Sequence, residues 1–188
     1  MTRTIPHYPV HLIDVMHLPA GTRVMLRPIL PQDVELQRAF FRSLSAHSRY
    51  SRFMTRVNEL PRALAERFTR IDYTSHLALV ATILEDGREV MIGEARCVAD
   101  ERDPAICELA IAVADVWQRC GIALALLVRL ERQAAELGFR RIVADTLVTN
   151  RAMLGLARRA RYAIIASPEE KTQARLEKHL RPVAAIAA

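Results

Sequence analysis

Residues 113–123 decide the fold, and they read Val-Ala-Asp-Val-Trp-Gln-Arg-Cys-Gly-Ile-Ala. This stretch joins the end of an apolar β-type run to the longest amphipathic helix in the sequence, which the periodicity predicts over residues 119–137. A helix that starts directly after a strand leaves unpaired backbone N–H groups and the positive end of its dipole at the turn. The small side chains of Gly121 and Ala123 let a ligand approach that backbone, and Arg119 adds a cation. The junction therefore predicts a site for an anion such as a pyrophosphate.

The segments before this junction predict three consecutive antiparallel strands. The β-type runs lie at residues 77–84, 90–98 and 105–113, and the Asp-Gly pair between the first two is a strong hairpin signal. Apolar spacing and turn residues predict the other elements, which are a strand at 23–27, helices from 31, 45 and 61, a strand at 140–148, a helix at 150–159 and a strand at 162–166.

The C-terminal segment carries a helix-start signal. Ser167-Pro168-Glu169-Glu170 has the form of a capping box with proline at the first helical position, so we expect a final helix to about Leu180. Hairpins before residue 113 and strand–helix–strand order after it imply both antiparallel and parallel pairing. The sequence thus predicts the α/β (α+β) class, with a mixed, mostly antiparallel sheet flanked by helices.

Length and composition indicate one globular domain. The 188 residues are 51% hydrophobic and 26% charged, and we expect a single domain over 1–188, with 1–20 as an N-terminal extension and 167–188 as a C-terminal helix and tail. No apolar run reaches the ~18 residues that a membrane span needs, and the N-terminus lacks the pattern of a secretory signal. We expect a cytoplasmic protein without a membrane partner.

Metal and nucleic-acid chemistry have little support. The three cysteines form no C-x-x-C pair, and the six histidines lack ligand spacing, so we expect no metal. The net charge is +6, but the arginines are spread along the chain and aromatic residues make up only 5%. We expect no nucleic-acid partner, and a basic nucleic-acid binder stays an alternative that salt-dependent duplex affinity would reveal.

The spacing Gln118-x-x-Gly121-x-Ala123 resembles the acyl-CoA pyrophosphate loop of the GNAT acetyltransferase superfamily. Further segments are similar to the GNAT domain of bacterial protein lysine acetyltransferases, the group that modifies acyl-CoA synthetases; they lie at 21–33, 44–53, 71–73 and 150–154. The resemblance implies a GNAT-like fold, acetyl-CoA as co-substrate and an amine acceptor, first of all a protein lysine such as one on an acyl-CoA synthetase. It leaves a homodimer open.

The resemblance also implies which residues hold acetyl-CoA. Backbone groups of Ile111 and Val113 would pair with the pantetheine arm as an added strand does. The loop amides would hold the pyrophosphate, and they belong to Gln118, Arg119, Cys120, Gly121, Ile122, Ala123 and Leu124. The Asn150 side chain either reaches the cofactor as well or only caps its helix.

Glu108 is the candidate general base. Strand alternation places it with Ile106, Ala110 and Ala112 on one face, among apolar neighbours. Burial there would raise its pKa and suit it to take a proton from an ammonium group, and in the similar lysine acetyltransferases a Glu at this place is the base. The alternative is a cross-strand ion pair with Arg96, and Glu94 is the second candidate base.

Three positions depart from the family pattern. Ala157 stands where many members have a tyrosine that protonates the leaving thiolate, Cys120 stands where a cation is common, and Arg161 replaces a glycine. The favoured hypothesis is an acetyl-CoA-dependent N-acetyltransferase that works by direct attack. A small-amine N-acetyltransferase and a non-catalytic acyl-CoA-binding module are the alternatives.

Overall fold

The fold is an eight-stranded sheet with helices on both faces. The computed structural model describes residues 7–19, 21–166 and 170–181. The strands are β1 (Asp14–His17), β2 (Arg23–Pro28), β3 (His76–Glu85), β4 (Arg88–Ala99), β5 (Ile106–Val113), β6 (Arg141–Leu147), β7 (Ala163–Ala166) and β8 (Gln173–His179). The helices are α1 (Val34–Ser43), α2 (Ala46–Phe53), α3 (Arg62–Thr69), α4 (Ile122–Glu136) and α5 (Arg151–Arg159). The predicted fold class is confirmed.

Among the described strands one neighbouring pair is parallel, and its pairing ends after three residues of each strand. The strand order is β1-β2-β3-β4-β5-β6-β8-β7, and every neighbouring pair except β5–β6 is antiparallel. The register joins β5 to β6 only from Ile106↔Arg141 to Glu108↔Val143. Because β5 continues to Val113 and β6 to Leu147, their outer halves diverge and leave a wedge-shaped opening in the sheet.

The two faces of the sheet differ in their cover. The main core lies under α4, where Ile122, Leu126 and Leu130 pack with apolar side chains of the central strands, including Leu79 and Leu109. A second cluster lies on the opposite face, where Phe40 of α1 packs with Val80 and Met91. The central strands β3 and β4 thus bury side chains on both faces, as strands of a covered sheet do.

The predicted C-terminal helix is wrong. The start of its capping box, 167–169, lies outside the described residues, and residues 173–179 form β8, which pairs with β6 on one side and β7 on the other. Ala174 and Leu176 are buried while Arg175 between them is exposed, so the segment follows a period of two. Pairing with two strands outweighs the local preference for helix here.

Two other differences concern the ends of elements. Residues 14–17 were expected to belong to the N-terminal extension, but they form the edge strand β1, which pairs with β2. Helix α4 begins at Ile122 rather than at 119 and is followed by Gly138 in the left-handed conformation, the predicted terminator. The later start matters for the site because it leaves residues 118–121 as a loop.

Candidate active site

A cleft of about 490 Å³ lies where β5 and β6 separate. Its walls come from these two strands, from α2 on one side of the sheet and from α5 and the loop before α4 on the other. It includes the predicted base Glu108 and most of the predicted cofactor-binding residues, namely Ile111, Val113, Gln118, Arg119, Gly121, Ala123, Leu124 and Asn150. Cys120 is exposed and Ile122 is buried in the core, so neither lies in the cleft wall.

The loop at residues 118–121 has two residues in the left-handed conformation. Arg119 has φ 62° and Gly121 has φ 87°. Gly121 is the residue directly before α4, and a Cβ atom built on it would find no other atom within 4 Å. The loop therefore leaves open space in front of the first turn of α4, where the unpaired N–H groups of a helix lie. This is the geometry that an anion needs.

Asp115 fastens this loop to α2. Its carboxylate accepts hydrogen bonds from the Ser45 backbone N–H at 2.9 Å and from the hydroxyls of Ser45 and Ser48 at 2.8 Å each. Partial burial opposes ionisation, but these hydrogen bonds outweigh it and lower the pKa of Asp115. The Gln118 side chain also donates to the Val113 carbonyl at 3.1 Å. The loop and the α2 wall are thus held in one arrangement.

Glu108 lies in the cleft wall but is not buried. It is exposed, which corrects the burial expected from its apolar neighbours in the strand. It stands opposite Val98 on β4, while Arg96 stands opposite Ala110 and pairs with Glu94, so the cross-strand ion pair between Glu108 and Arg96 is absent from the described residues. Glu108 faces the α2 side, where the charge of Arg52 acts on it.

Glu94 belongs to a buried charge cluster beside the cleft. Its Oε1 accepts a hydrogen bond from Arg96 Nε at 2.8 Å and lies 3.9 Å from Arg52 Nη2. Burial would raise the pKa of Glu94, but the charges of Arg96 and Arg52 and the Arg96 hydrogen bond outweigh it and hold the pKa at about 2. Such a carboxylate is a weak base, so the geometry favours Glu108 over Glu94.

His76 and Arg52 complete the cluster. Arg96 Nη1 donates to His76 Nε2 at 3.1 Å, which requires an unprotonated Nε2. Burial and the Arg96 charge lower the pKa of His76 to about 4. Burial also lowers the pKa of Arg52, to about 10, against the opposing charges of Glu94 and Glu108. At neutral pH the cluster therefore contains two cations, Arg52 and Arg96, and a neutral imidazole.

The wall on the α5 side includes Asn150 and two arginines, Arg151 and Arg159. Asn150 Oδ1 accepts from the Met153 backbone N–H at 3.0 Å, so it caps α5 and also lines the cleft. Thr146 on β6 lines the cleft as well; it is 1% exposed, and its hydroxyl has no hydrogen-bond partner among the described residues. Ala157 is buried on α5 and is not part of the cleft wall in the described chain.

Sequence reasoning missed Arg52, Thr146 and the Asp115 contacts. Arg52 falls within the family-like segment 44–53, but no pattern there marks it as a site residue. A threonine in a β-type run is common and marks no site either. The Asp115 contacts carry no local signal either, because Ser45 and Ser48 lie 70 and 67 residues away in the sequence.

The described residues show neither a cluster of metal ligands nor a membrane-spanning helix. Within 7–19, 21–166 and 170–181, no three His, Cys, Asp or Glu side chains lie together as a metal site would need. No helix of that part of the chain combines the length and hydropathy of a membrane span.

Comparison with known proteins identifies the family. Residues 23–163 match the model of the acetyltransferase (GNAT) domain. An acetyltransferase of Pseudomonas aeruginosa is 33% identical over 161 residues, which are 85% of each chain. The crystal structure of the GNAT domain of S. lividans PAT superposes with a TM-score of 0.83 at 31% identity, over 93% of this chain and 100% of that one.

A more distant structure has the same fold. The GNAT superfamily phosphinothricin acetyltransferase from Sinorhizobium meliloti, solved in complex with AcCoA, superposes with a TM-score of 0.67 at 20% identity, over 86% of this chain and 94% of that one. The family model matches 141 of the 188 residues, and the P. aeruginosa relative is more than 30% identical over 85% of the chain. The chain belongs to the GNAT acetyltransferase family.

Proposed function

We propose that this acetyltransferase transfers the acetyl group of acetyl-CoA to a protein lysine, with Glu108 as general base. The observation that carries the proposal is the position of Glu108. Its carboxylate is exposed in the cleft wall, on the strand that leads into the loop at residues 118–121. The proton acceptor and the anion site thus lie on one continuous stretch of chain, residues 108–121.

Acetyl-CoA fits the described residues. The pyrophosphate would take the open space before the first turn of α4, which the left-handed Gly121 leaves free. The pantetheine arm would run along β5 past Val113 and Ile111, where β6 has separated and strand-type hydrogen bonding is available. The S. meliloti enzyme with the same fold was solved with AcCoA, which supports this co-substrate.

The reaction is a direct attack of the amine on the thioester. Glu108 takes a proton from the incoming ammonium through a water molecule, and the free amine attacks the carbonyl carbon. A backbone N–H of residues 111–113 donates a hydrogen bond to the oxyanion, and collapse of the tetrahedral intermediate breaks the C–S bond. Arg52 assists the first step, because its positive charge beside Glu108 disfavours a second cation and lowers the pKa of the amine.

A protein lysine suits this side of the cleft. The long side chain of a lysine reaches an exposed carboxylate from the surface of another folded protein, and Glu108 and His47 in the cleft wall are both exposed. The resemblance of residues 21–33, 44–53, 71–73 and 150–154 to protein lysine acetyltransferases supports the same acceptor.

The acceptor is tested by incubating the protein with acetyl-CoA and an acyl-CoA synthetase and mapping acetylated lysines by mass spectrometry. A parallel reaction contains the synthetase with the modified lysine changed to arginine, and a third contains a polyamine and an aminoglycoside. We expect one principal lysine, no product after its replacement and little acetylated small amine. Rapid acetylation of the small amines alone would refute the lysine acceptor, and CoA binding without any acetylated product would refute catalysis.

A further inference from the structure

Thr146 lines the cleft, and its buried hydroxyl has no hydrogen-bond partner among the described residues. The residue is 1% exposed, and its Oγ1 has no hydrogen-bond partner within the described part of the chain. It nevertheless lines the cleft. Buried hydroxyl groups are almost always paired in folded proteins, because an unpaired one loses the hydrogen bonds that water would supply. A polar group of a ligand in the cleft is the partner that this hydroxyl lacks.

The register of the sheet places Thr146 beside the part of β5 where the thioester of acetyl-CoA would lie. Counting onward from the pair Glu108↔Val143, Thr146 on β6 lies level with Ile111 on β5, across the wedge where the strands have separated. Ile111 is where the pantetheine arm reaches the thioester in the proposed reaction. A ligand atom between these two strands would therefore lie beside Thr146.

Thr146 and Glu108 lie on opposite faces of the sheet. Glu108 shares its face with Ala112, which packs toward α1. Thr146 shares its face with Ala144 and Ile142, which belong to the core under α4. An amine that attacks a thioester carbonyl approaches from one side, while the sulfur departs on another. A base on the α2 side and a donor on the α4 side match these two requirements.

We propose that the Thr146 hydroxyl donates a hydrogen bond to the sulfur of CoA as the thioester breaks, and so stabilises the leaving thiolate. The inference rests on the proposed use of acetyl-CoA in this cleft. When the tetrahedral intermediate collapses, the C–S bond breaks and its electron pair leaves on sulfur. Thr146 keeps its proton. The proton lost by the amine goes to Glu108 and from there to solvent, so CoA departs as the thiolate or takes its proton from water.

This assignment accounts for Ala157. An alanine buried outside the cleft wall offers no hydroxyl at the helix position where the tyrosine of many family members is expected. Thr146 supplies a hydroxyl to the same cleft from the neighbouring strand. Ser51 on α2 also lines the cleft, and its hydroxyl is likewise unpaired among the described residues, but it lies on the Glu108 side and serves as the matched control.

The direct test uses CoA itself and needs no acceptor. The pKa of the bound CoA thiol is measured from the ultraviolet absorbance of its thiolate during a pH titration of the full-length protein. A hydrogen bond to the thiolate lowers that pKa. We expect Thr146→Val to raise it by about one pH unit, which is a tenfold change in the ionisation equilibrium. Thr146→Ser should keep it low, and Ser51→Ala should leave it unchanged.

Turnover and stability separate this role from a structural one. We expect Thr146→Val to lower kcat by about tenfold to a hundredfold, Thr146→Ser to restore most of it, and the melting temperature of Thr146→Val to be no lower than that of the wild type. An unchanged thiol pKa in Thr146→Val would overturn the proposal, even if kcat fell. If the wild-type protein failed to bind CoA, the proposed co-substrate itself would be refuted.

Discussion

The two sides of the cleft differ in whether backbone or charged side chains form them. The side where we propose that acetyl-CoA binds, the cofactor side, is mainly backbone, with the left-handed residues Arg119 and Gly121 before the first turn of α4. The side where we propose that the amine binds, the acceptor side, contains buried charged side chains, in which Glu94 lies 2.8 Å from Arg96 and 3.9 Å from Arg52. A backbone site needs few special residues, whereas a charge cluster needs every member, because each removed charge leaves another unbalanced.

The largest effect should follow from removing the central charge on the acceptor side. Glu94→Leu leaves Arg96 and Arg52 without their shared carboxylate, and we expect it to lower the free energy of unfolding by about 3–5 kcal/mol. Urea denaturation measures this. The control is Glu35→Gln, which breaks contacts of an exposed glutamate with Arg38 and Arg62 and should change stability by about 0–1 kcal/mol. Equal losses in both variants would contradict a special role for the cluster.

The buried ionisable groups on the acceptor side should also make the free energy of unfolding depend on pH. The pKa of His76 falls from 6.5 to about 4 on folding, through burial and the charge of Arg96, with Glu94 and Asp72 opposing. The unfolded chain therefore binds this proton at a higher pH than the folded chain does. Stability from this source is complete above pH 6.5 and is lost as the pH falls toward 4.

We expect this loss to be on the order of 2 kcal/mol, since His76 is partly exposed. The Glu94 carboxylate, with a pKa held at about 2, adds a further loss between its ordinary value and that pH. Denaturation of the wild type and of His76→Gln between pH 7 and 4 measures the first loss. The variant should show a flatter curve over this range, and a parallel curve would exclude His76 as its source.

The cofactor side should respond through its backbone. Gly121→Ala forces an L-residue into φ 87° and places a methyl group in front of α4, and we expect a loss of about 1 kcal/mol of stability together with several-fold weaker CoA binding. Gly87→Ala is the matched control, with φ 75°, no atom within 4 Å of its Cβ position and a place in the distant β3–β4 hairpin. It should lose similar stability and bind CoA normally, as calorimetry would show.

The smallest effect should come from a left-handed residue outside the cleft wall. Arg161 has φ 62° in the turn between α5 and β7. Arg161→Gly removes the steric penalty of the side chain, and we expect a gain of about 0.5 kcal/mol, limited by the greater freedom of glycine in the unfolded chain. Thermal unfolding measures it. A loss of stability would mean that the Arg161 side chain makes a stabilising contact.

The same contrast explains what the sequence could predict. The order of strands and helices from β2 to β7 follows from local signals such as the Asp-Gly hairpin and Gly138, and the loop before α4 follows from the spacing of Gln118 and Gly121. Strand β8 was missed because its pairing with β6 and β7 is non-local, while the Pro168 signal before it is local. Local patterns determine backbone turns, and backbone turns form the cofactor side.

The acceptor side depends on packing between distant segments. Alternation assigned Glu108 to the correct strand but not its exposure, because the helices that cover one face of a strand are set by tertiary contacts. Arg52, Glu94 and His76 come from α2, β4 and β3, and only the folded sheet brings them together. Single-residue patterns contain no information on such a cluster.

The most direct test of the account is the Glu108→Gln variant, assayed for acetyl transfer and for CoA affinity in one preparation. The substitution keeps the shape of the side chain and removes its ability to accept the proton. We predict that kcat/KM falls by about 10²–10⁴-fold, while calorimetry gives a CoA affinity within a few-fold of the wild type. Full activity in Glu108→Gln would contradict the account, because the base would then lie elsewhere.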